Sequence, residues 1–176
     1  PVVADIETLD IDGFTALIHG KYEHEESRAT ASQALKHEGG KYIIVRDMDE
    51  ARLVMDYIEQ NENALSREEF QRHFEKKATP GFDPDTDLVR VGVANQTTML
   101  ATESLAIADE AGKSLALRYG EDVLAEHFRS FDTICSATQE RQDAVLEMMQ
   151  SPPDIMIVIG GYNSSNTNHL AHLCRE

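Results

Sequence analysis

Four stretches of the 176-residue chain gather side chains that can hold anions, move protons or ligate a metal. In the first, His19-Gly20-Lys21-Tyr22-Glu23-His24-Glu25-Glu26, an imidazole two residues before a carboxyl group can hold a phosphate oxygen while the carboxyl passes a proton. The same run also reads as the solvated first turn of a helix, where the dipole favours Glu. The second, Gly92-Val93-Ala94-Asn95-Gln96-Thr97-Thr98-Met99, ends in amides and hydroxyls that orient a polar substrate or simply cap the next helix. The third runs from Phe131 to Gln142, with Cys135 at a turn and Ser136 and Gln139 at the spacing of a capping box. A helix N-terminus favours the thiolate, which ligates metals or attacks electrophiles, whereas a buried Cys is a small core hydrophobe. The fourth is Gly160-Gly161-Tyr162-Asn163-Ser164-Ser165-Asn166-Thr167-Asn168-His169-Leu170. Two glycines let the backbone approach a ligand, and Ser, Asn and open helix N–H groups suit a phosphate, although the pattern is neither a P-loop nor a dinucleotide fingerprint.

The elements that must carry these stretches are legible from periodicity. Phe14 to Ile18, Tyr42 to Val45, Leu88 to Ala94 and Ile155 to Ile159 are short apolar runs rich in β-branched residues, and helical spacing fills the stretches between them. Ala51, Val54, Met55 and Ile58 share one helical face behind an Asp47/Glu50 capping pair, which predicts a helix over 48–60. Ser66 with Glu69 predicts a second short helix, followed by the breaker-rich run Thr79-Pro80-Gly81-Phe82-Asp83-Pro84-Asp85, read as part of a surface insertion near 61–87. Further helices are expected over 101–119, ending at Gly120, over 137–149 with Ala144, Val145 and Met148 inward, and over 165–175 with Leu170 and Leu173 inward. Alternation of strand and helix predicts an α/β fold with parallel sheets, whose ligands sit beyond the C-terminal ends of the strands. All four chemical stretches fall at such junctions.

Composition narrows the partners. Sixteen basic against 32 acidic residues, net charge −16, would repel a nucleic-acid backbone, so nucleic acid is excluded as a partner. A small anion held by local helix N-termini is not excluded. No run approaches the roughly 18 apolar residues of a membrane span, so no membrane partner is expected. Cys135 and Cys174, without C-x-x-C spacing or a secretory leader, are expected to be free thiols in a reducing compartment. The chain opens at Pro1 and stops at Glu176 within a helical pattern, which reads as a piece of a longer protein.

Three motifs in order, Asn95-Gln96-Thr97-Thr98, then Thr133-Ile134-Cys135-Ser136-Ala137-Thr138-Gln139-Glu140-Arg141-Gln142, then Asn163-Ser164-Ser165-Asn166, resemble the 4-hydroxy-3-methylbut-2-enyl diphosphate reductase family. The run from His19 to Glu26 and the insertion around Pro80 to Asp87 look like its cyanobacterial and plastid version, and the likeness extends from Phe14 onward. The resemblance implies a trefoil of three α/β domains around a central [4Fe-4S] cluster held by three cysteines. Residues 1–130 would be the middle domain and 131–176 the start of a further one, divided near Phe128 to Phe131. It implies reductive loss of the 4-hydroxyl group of a small diphosphate substrate, giving isopentenyl and dimethylallyl diphosphates, with ferredoxin or flavodoxin as electron donor. Carried over by motif, Cys135 is a cluster ligand, while His24, Thr98, Ser164, Ser165 and Asn166 line the diphosphate pocket. Glu26 and Thr97 face the reacting hydroxyl, with Glu26 as proton donor. The family's remaining cluster cysteines, two diphosphate histidines and a serine have no counterpart in this chain, and Cys174 matches no ligand position. The implied compartment is the bacterial cytoplasm or the plastid stroma. Two other classes fit the residues alone: a phosphate-binding α/β module without redox chemistry, and a thiol hydrolase using Cys135 with His24 or His169.

Overall fold

The computed structural model describes residues 13–36, 38–95, 99, 101–130, 136–161 and 164–175. Four parallel strands, β1 (Thr15–His19), β2 (Lys41–Val45), β3 (Val91–Asn95) and β4 (Phe128–Ser130), lie in the order β2-β1-β3-β4. The helices are α1 (Glu25–Ala34), α2 (Met48–Glu59), α3 (Arg67–Phe74), α4 (Pro84–Asp87), α5 (Ala101–Tyr119), α6 (Leu124–His127), α7 (Ser136–Met149) and α8 (Ser165–Leu173). No helix among the described residues is long and apolar enough to cross a membrane.

Period-two alternation sends the two faces of the sheet into separate cores. Leu17, Ile43, Val45, Val91 and Val93 meet α2, α3 and α5 through Val54, Ile58, Phe70, Phe74 and Ile107. Ala16, Ile18, Ile44 and Ala94 face α1 through Ala31 and Ala34. The chain leaves β1 through α1 to β2 on one side, then returns past β1 to β3 and β4 on the other. The crevice at the C-terminal ends of β1 and β3 is therefore the topological switch point, where open α/β sheets bind ligands.

Helix α2 starts where its capping pair puts it: the Asp47 carboxylate accepts the Glu50 amide at 3.0 Å. Ser66 and Glu69 complete a reciprocal capping box on α3, and α5 ends at Gly120, whose φ of 101° suits glycine. The 61–87 insertion is a surface feature only in its polar residues. Phe70, Phe74, Phe82 and Pro84 are buried, and Ala78 forms an antiparallel bridge with Ile43, because the exposed edge of β2 and the apolar face of α2 offer aromatic side chains a place to leave water.

Two expectations need correction. Residues 155–159 belong to no strand, and Ile155, Ile157 and Ile159 are 78%, 75% and 91% exposed. Their alternation is that of a pleated segment, but no described strand lies beside it to pair its amides. In α7 the inward residues are Thr138 and Gln142, not Ala144 and Met148, which are exposed, or Val145, which is half-buried. The Gln142 amide points to the Met99 carbonyl at 3.5 Å, so a polar contact sets the inward face. Leu170 and Leu173 of α8 are half-buried.

Candidate functional site

Residues 20–24 leave β1 and turn tightly, with the Gly20 amide on Val45 O at 2.9 Å and the His24 amide on Lys21 O at 2.9 Å. His24 then caps α1: its Nδ1 accepts the Glu26 amide at 3.3 Å. A nitrogen that accepts cannot carry the proton, so the neutral ring holds its hydrogen on Nε2. That Nε2 lies 3.3 Å from Ser165 Oγ, a residue 141 positions further along the chain. The first and fourth stretches thus meet, with a hydrogen-bond donor aimed between them.

Ser164 caps α8, its hydroxyl accepting the Thr167 amide at 3.3 Å, and Ser165 opens that helix. The Ser164 amide donates to Gly161 O at 3.0 Å. Gly160 is required by close approach, since a Cβ there would fall 2.0 Å from Thr167 Oγ1 and 2.9 Å from Thr167 Cβ. Asn166 Oδ1 is buried without a hydrogen-bond partner among the described residues. Because the two ends of an amide exchange by a half-turn about χ2, this position can present a donor or an acceptor to a guest. Two helix N-termini, α1 and α8, therefore converge on the His24–Ser165 contact, and their dipoles favour an anion there.

Glu26 is in the first turn of α1, half-buried, two residues beyond His24. Thr97, Thr98 and Cys135 lie outside the described residues. The Gln139 amide donates to Asp143 at 2.6 Å, and the side chain of Ser136, its partner in the expected capping box, lies outside the described residues. Among the described residues no set of three His, Cys, Asp or Glu could hold a metal ion. The described thiol, Cys174, is half-buried at the C-cap of α8. The described residues thus do not form a cluster site. A cleft of about 390 Å³ between α1 and β2 is lined by Tyr22, Arg28, Tyr42 and Lys76, and neither His24 nor Ser165 borders it.

His19 received no role from its spacing, yet it ends β1 in register with Asn95 and is completely buried. Burial pushes its pKa down from 6.5 to about 4, with Arg46 and Asp47 opposing and His169 reinforcing the shift. The signal in the sequence was a histidine closing an otherwise apolar central strand.

The family described as LytB protein matches residues 2–176. The chain belongs to the LytB protein family. Within it, the chain is similar to the 4-hydroxy-3-methylbut-2-enyl diphosphate reductase of Thermosynechococcus vestitus, 53% identical over 163 residues, which are 93% of this chain and 39% of that protein. It is also similar to the protein of that name from Gloeobacter violaceus, 51% identical over 163 residues, 93% of this chain and 37% of that one. The chain spans about two fifths of the length of these curated relatives. Its fold matches the solved E-1-hydroxy-2-methyl-but-2-enyl-4-diphosphate reductase of Plasmodium falciparum with a TM-score of 0.58 at 16% identity, covering 99% of this chain and 43% of that one. The LytB relatives are mostly cyanobacterial, in keeping with the His19 to Glu26 run.

Proposed function

We propose that this chain is the part of a 4-hydroxy-3-methylbut-2-enyl diphosphate reductase that grips the diphosphate and delivers a proton. The observation that carries the reading is the 3.3 Å contact between His24 Nε2 and Ser165 Oγ, which joins two motifs far apart in sequence at converging helix N-termini. In this reading His24, Ser164, Ser165 and Asn166, with Thr98, hold diphosphate oxygens through hydrogen-bond donors. Glu26 donates a proton to the departing 4-hydroxyl oxygen, with Thr97 bridging carboxyl and substrate, because hydroxide is too poor a leaving group to depart unprotonated.

Cys135 would be one ligand of a [4Fe-4S] cluster, which when bound supplies electrons to the allylic carbon; ferredoxin or flavodoxin would be the donor. The products would be isopentenyl and dimethylallyl diphosphates. We infer residues 1–130 as the middle domain of a three-domain trefoil, 131–176 as the start of the next, and the bacterial cytoplasm or plastid stroma as the compartment. The first support for the two-domain division is that β4, ending at Ser130, closes the sheet of the first unit.

Inorganic diphosphate tests the grip directly. Replacing Ser164 and Asn166 together by Ala should weaken its binding to this chain by at least tenfold, each lost bond to a charged oxygen being worth about 1.5–3 kcal/mol. Unchanged affinity would sink the anion cradle. Iron and sulphide analysis of the full-length protein with Cys135→Ser separates the reductase from a phosphate-binding module without redox chemistry, since the latter loses nothing.

A further inference from the structure

His19 is a fully buried polar side chain for which the proposed reaction has no use. It closes the central strand at the switch point, flanked in register by Val45 of β2 and Asn95 of β3. Its Nδ1 lies 2.7 Å from the hydroxyl of Ser104, also fully buried, in the first turn of α5. Its Nε2 lacks a hydrogen-bond partner of its own among the described residues and faces the Glu103 carboxylate at 3.7 Å. The other oxygen of Glu103 accepts the Met48 amide at 3.2 Å, at the start of α2. The residue therefore reaches the end of β3 and the start of α5 in two ways: its backbone lies in register with Asn95, and its ring meets the Ser104 hydroxyl. Through Glu103 it also reaches the β2–α2 junction.

We propose that His19 is a positioning residue that fixes the first turn of α5 against the ends of β1 and β2, and so steadies the end of β1 from which the Gly20 to His24 turn departs. The chemistry assigns each ring nitrogen. With a carboxylate in front of Nε2, the neutral ring carries its hydrogen there and accepts the Ser104 hydroxyl proton at Nδ1. A buried imidazole hydrogen-bonded to a hydroxyl on one side and facing a carboxylate on the other has a preferred orientation, whereas an apolar side chain of the same volume would fill the space without tying α5 to it. Glu103 faces the ring, and burial keeps it neutral against the opposing influence of the Arg46 backbone and the Asp47 charge, with His169 acting in the same direction as burial. The inference rests on the diphosphate reading for its functional consequence but not for its structural one.

The test uses the 176-residue chain. His19→Leu removes the Ser104 hydrogen bond and the polar edge that faces Glu103 while keeping the bulk; His19→Asn retains an acceptor near the Nδ1 position; Ser104→Ala leaves the ring and removes the hydrogen bond alone. His19→Leu and Ser104→Ala should each speed amide hydrogen exchange in the first turn of α5 and weaken inorganic diphosphate binding by about tenfold, within the usual range of coupling between neighbouring elements. His19→Asn should restore part of both. Imidazole nitrogen resonances should report the Nε2–H tautomer. Should His19→Leu fail to fold, Ser104→Ala carries the same two readouts. Wild-type exchange and wild-type diphosphate affinity in both Ser104→Ala and a folded His19→Leu, or the opposite tautomer, would reduce His19 to a core filler. If the unmodified chain binds no diphosphate, the grip reading fails, while exchange and tautomer still decide the role of His19.

Discussion

Two helix N-termini in this chain solve the same problem in opposite ways. At α2, the orphan amides of the first turn are taken by the protein's own carboxylates: Asp47 accepts Glu50 N at 3.0 Å, and Glu103 accepts Met48 N at 3.2 Å. Glu50 itself is buried, accepts Arg46 N at 2.9 Å and pairs with Lys77 at 2.8 Å. At α8 the cap is a neutral hydroxyl, the first turn has no acidic residue, and Asn166 keeps a buried amide oxygen without a partner among the described residues. The first terminus is closed by internal anions and builds the fold. On the proposed reading, the second is left for an anion from outside to complete. On the same proposed reading, an acidic protein with net charge −16 holds a diphosphate by withholding its carboxylates from this turn.

Glu50→Ala breaks the closed terminus and should have the largest effect. It strands Lys77 and the Arg46 amide and removes a buried ion pair, a loss of about 3–5 kcal/mol. Chemical denaturation should show this while diphosphate affinity of the folded protein stays at the wild-type value. A cost below roughly 1 kcal/mol would show that the internal anion contributes little to α2.

Gly160→Ala disturbs the open terminus. The new methyl would collide with Thr167, whose β-branched χ1 cannot swing freely in a helix, at a cost of about 1–3 kcal/mol. Unlike Glu50→Ala, it should also weaken diphosphate binding, and Thr167→Ser in the same background should recover part of both losses. Stability loss with intact binding would separate the glycine turn from the site.

Acid should distinguish the closed α2 terminus from the switch point. His19 has a folded-state pKa near 4 against 6.5 when exposed, so the unfolded chain binds its proton first and stability falls as pH drops from about 6.5 towards 4. Between pH 7 and pH 5 the loss through this group is roughly 2 kcal/mol, at about 1.4 kcal/mol per unit. Asp47, which burial alone would raise, is held below its ordinary value by hydrogen bonds from the Glu50 amide and the Arg46 side chain. Its contribution is present above 3.8 and disappears only as pH falls through that depressed value, so the α2 cap should outlast the switch point. Exchange measured at pH 5 would refute this order if α2 loosened first.

The contrast also shows what sequence reasoning could reach. Local rules located α2 from Asp47 and Glu50, α3 from Ser66 and Glu69, and the end of α5 from Gly120, since caps and glycine turns are decided within a few residues. The residues of the grip, His24 and Ser165, were named by motif, but their 3.3 Å contact spans 141 positions and no periodicity encodes it. Nor could alternation at Ile155, Ile157 and Ile159 decide whether a strand would pair, because pairing is non-local. The inward face of α7 was misjudged because it carries Thr138 and Gln142, and apolar spacing is blind to a polar face.

The smallest expected effect on stability is the most direct trial of the comparison. Ser164→Asp gives α8 what α2 already has, a carboxylate at its N-cap, and should leave stability unchanged or raise it by about 0.5–1 kcal/mol through the helix dipole. The same carboxylate would occupy the positive end that the diphosphate needs and repel it across a few ångströms, so affinity for inorganic diphosphate should fall by more than tenfold and recover partly in high salt. Ser164→Asn is the control: it caps about as well, adds no charge, and should lose only the hydroxyl's own share of binding. A carboxylate at this cap cannot coexist with an anion on the same turn. Were Ser164→Asp to bind diphosphate as tightly as Ser164→Asn, the anion would have to sit elsewhere, and the difference between the two termini would be one of capping chemistry alone.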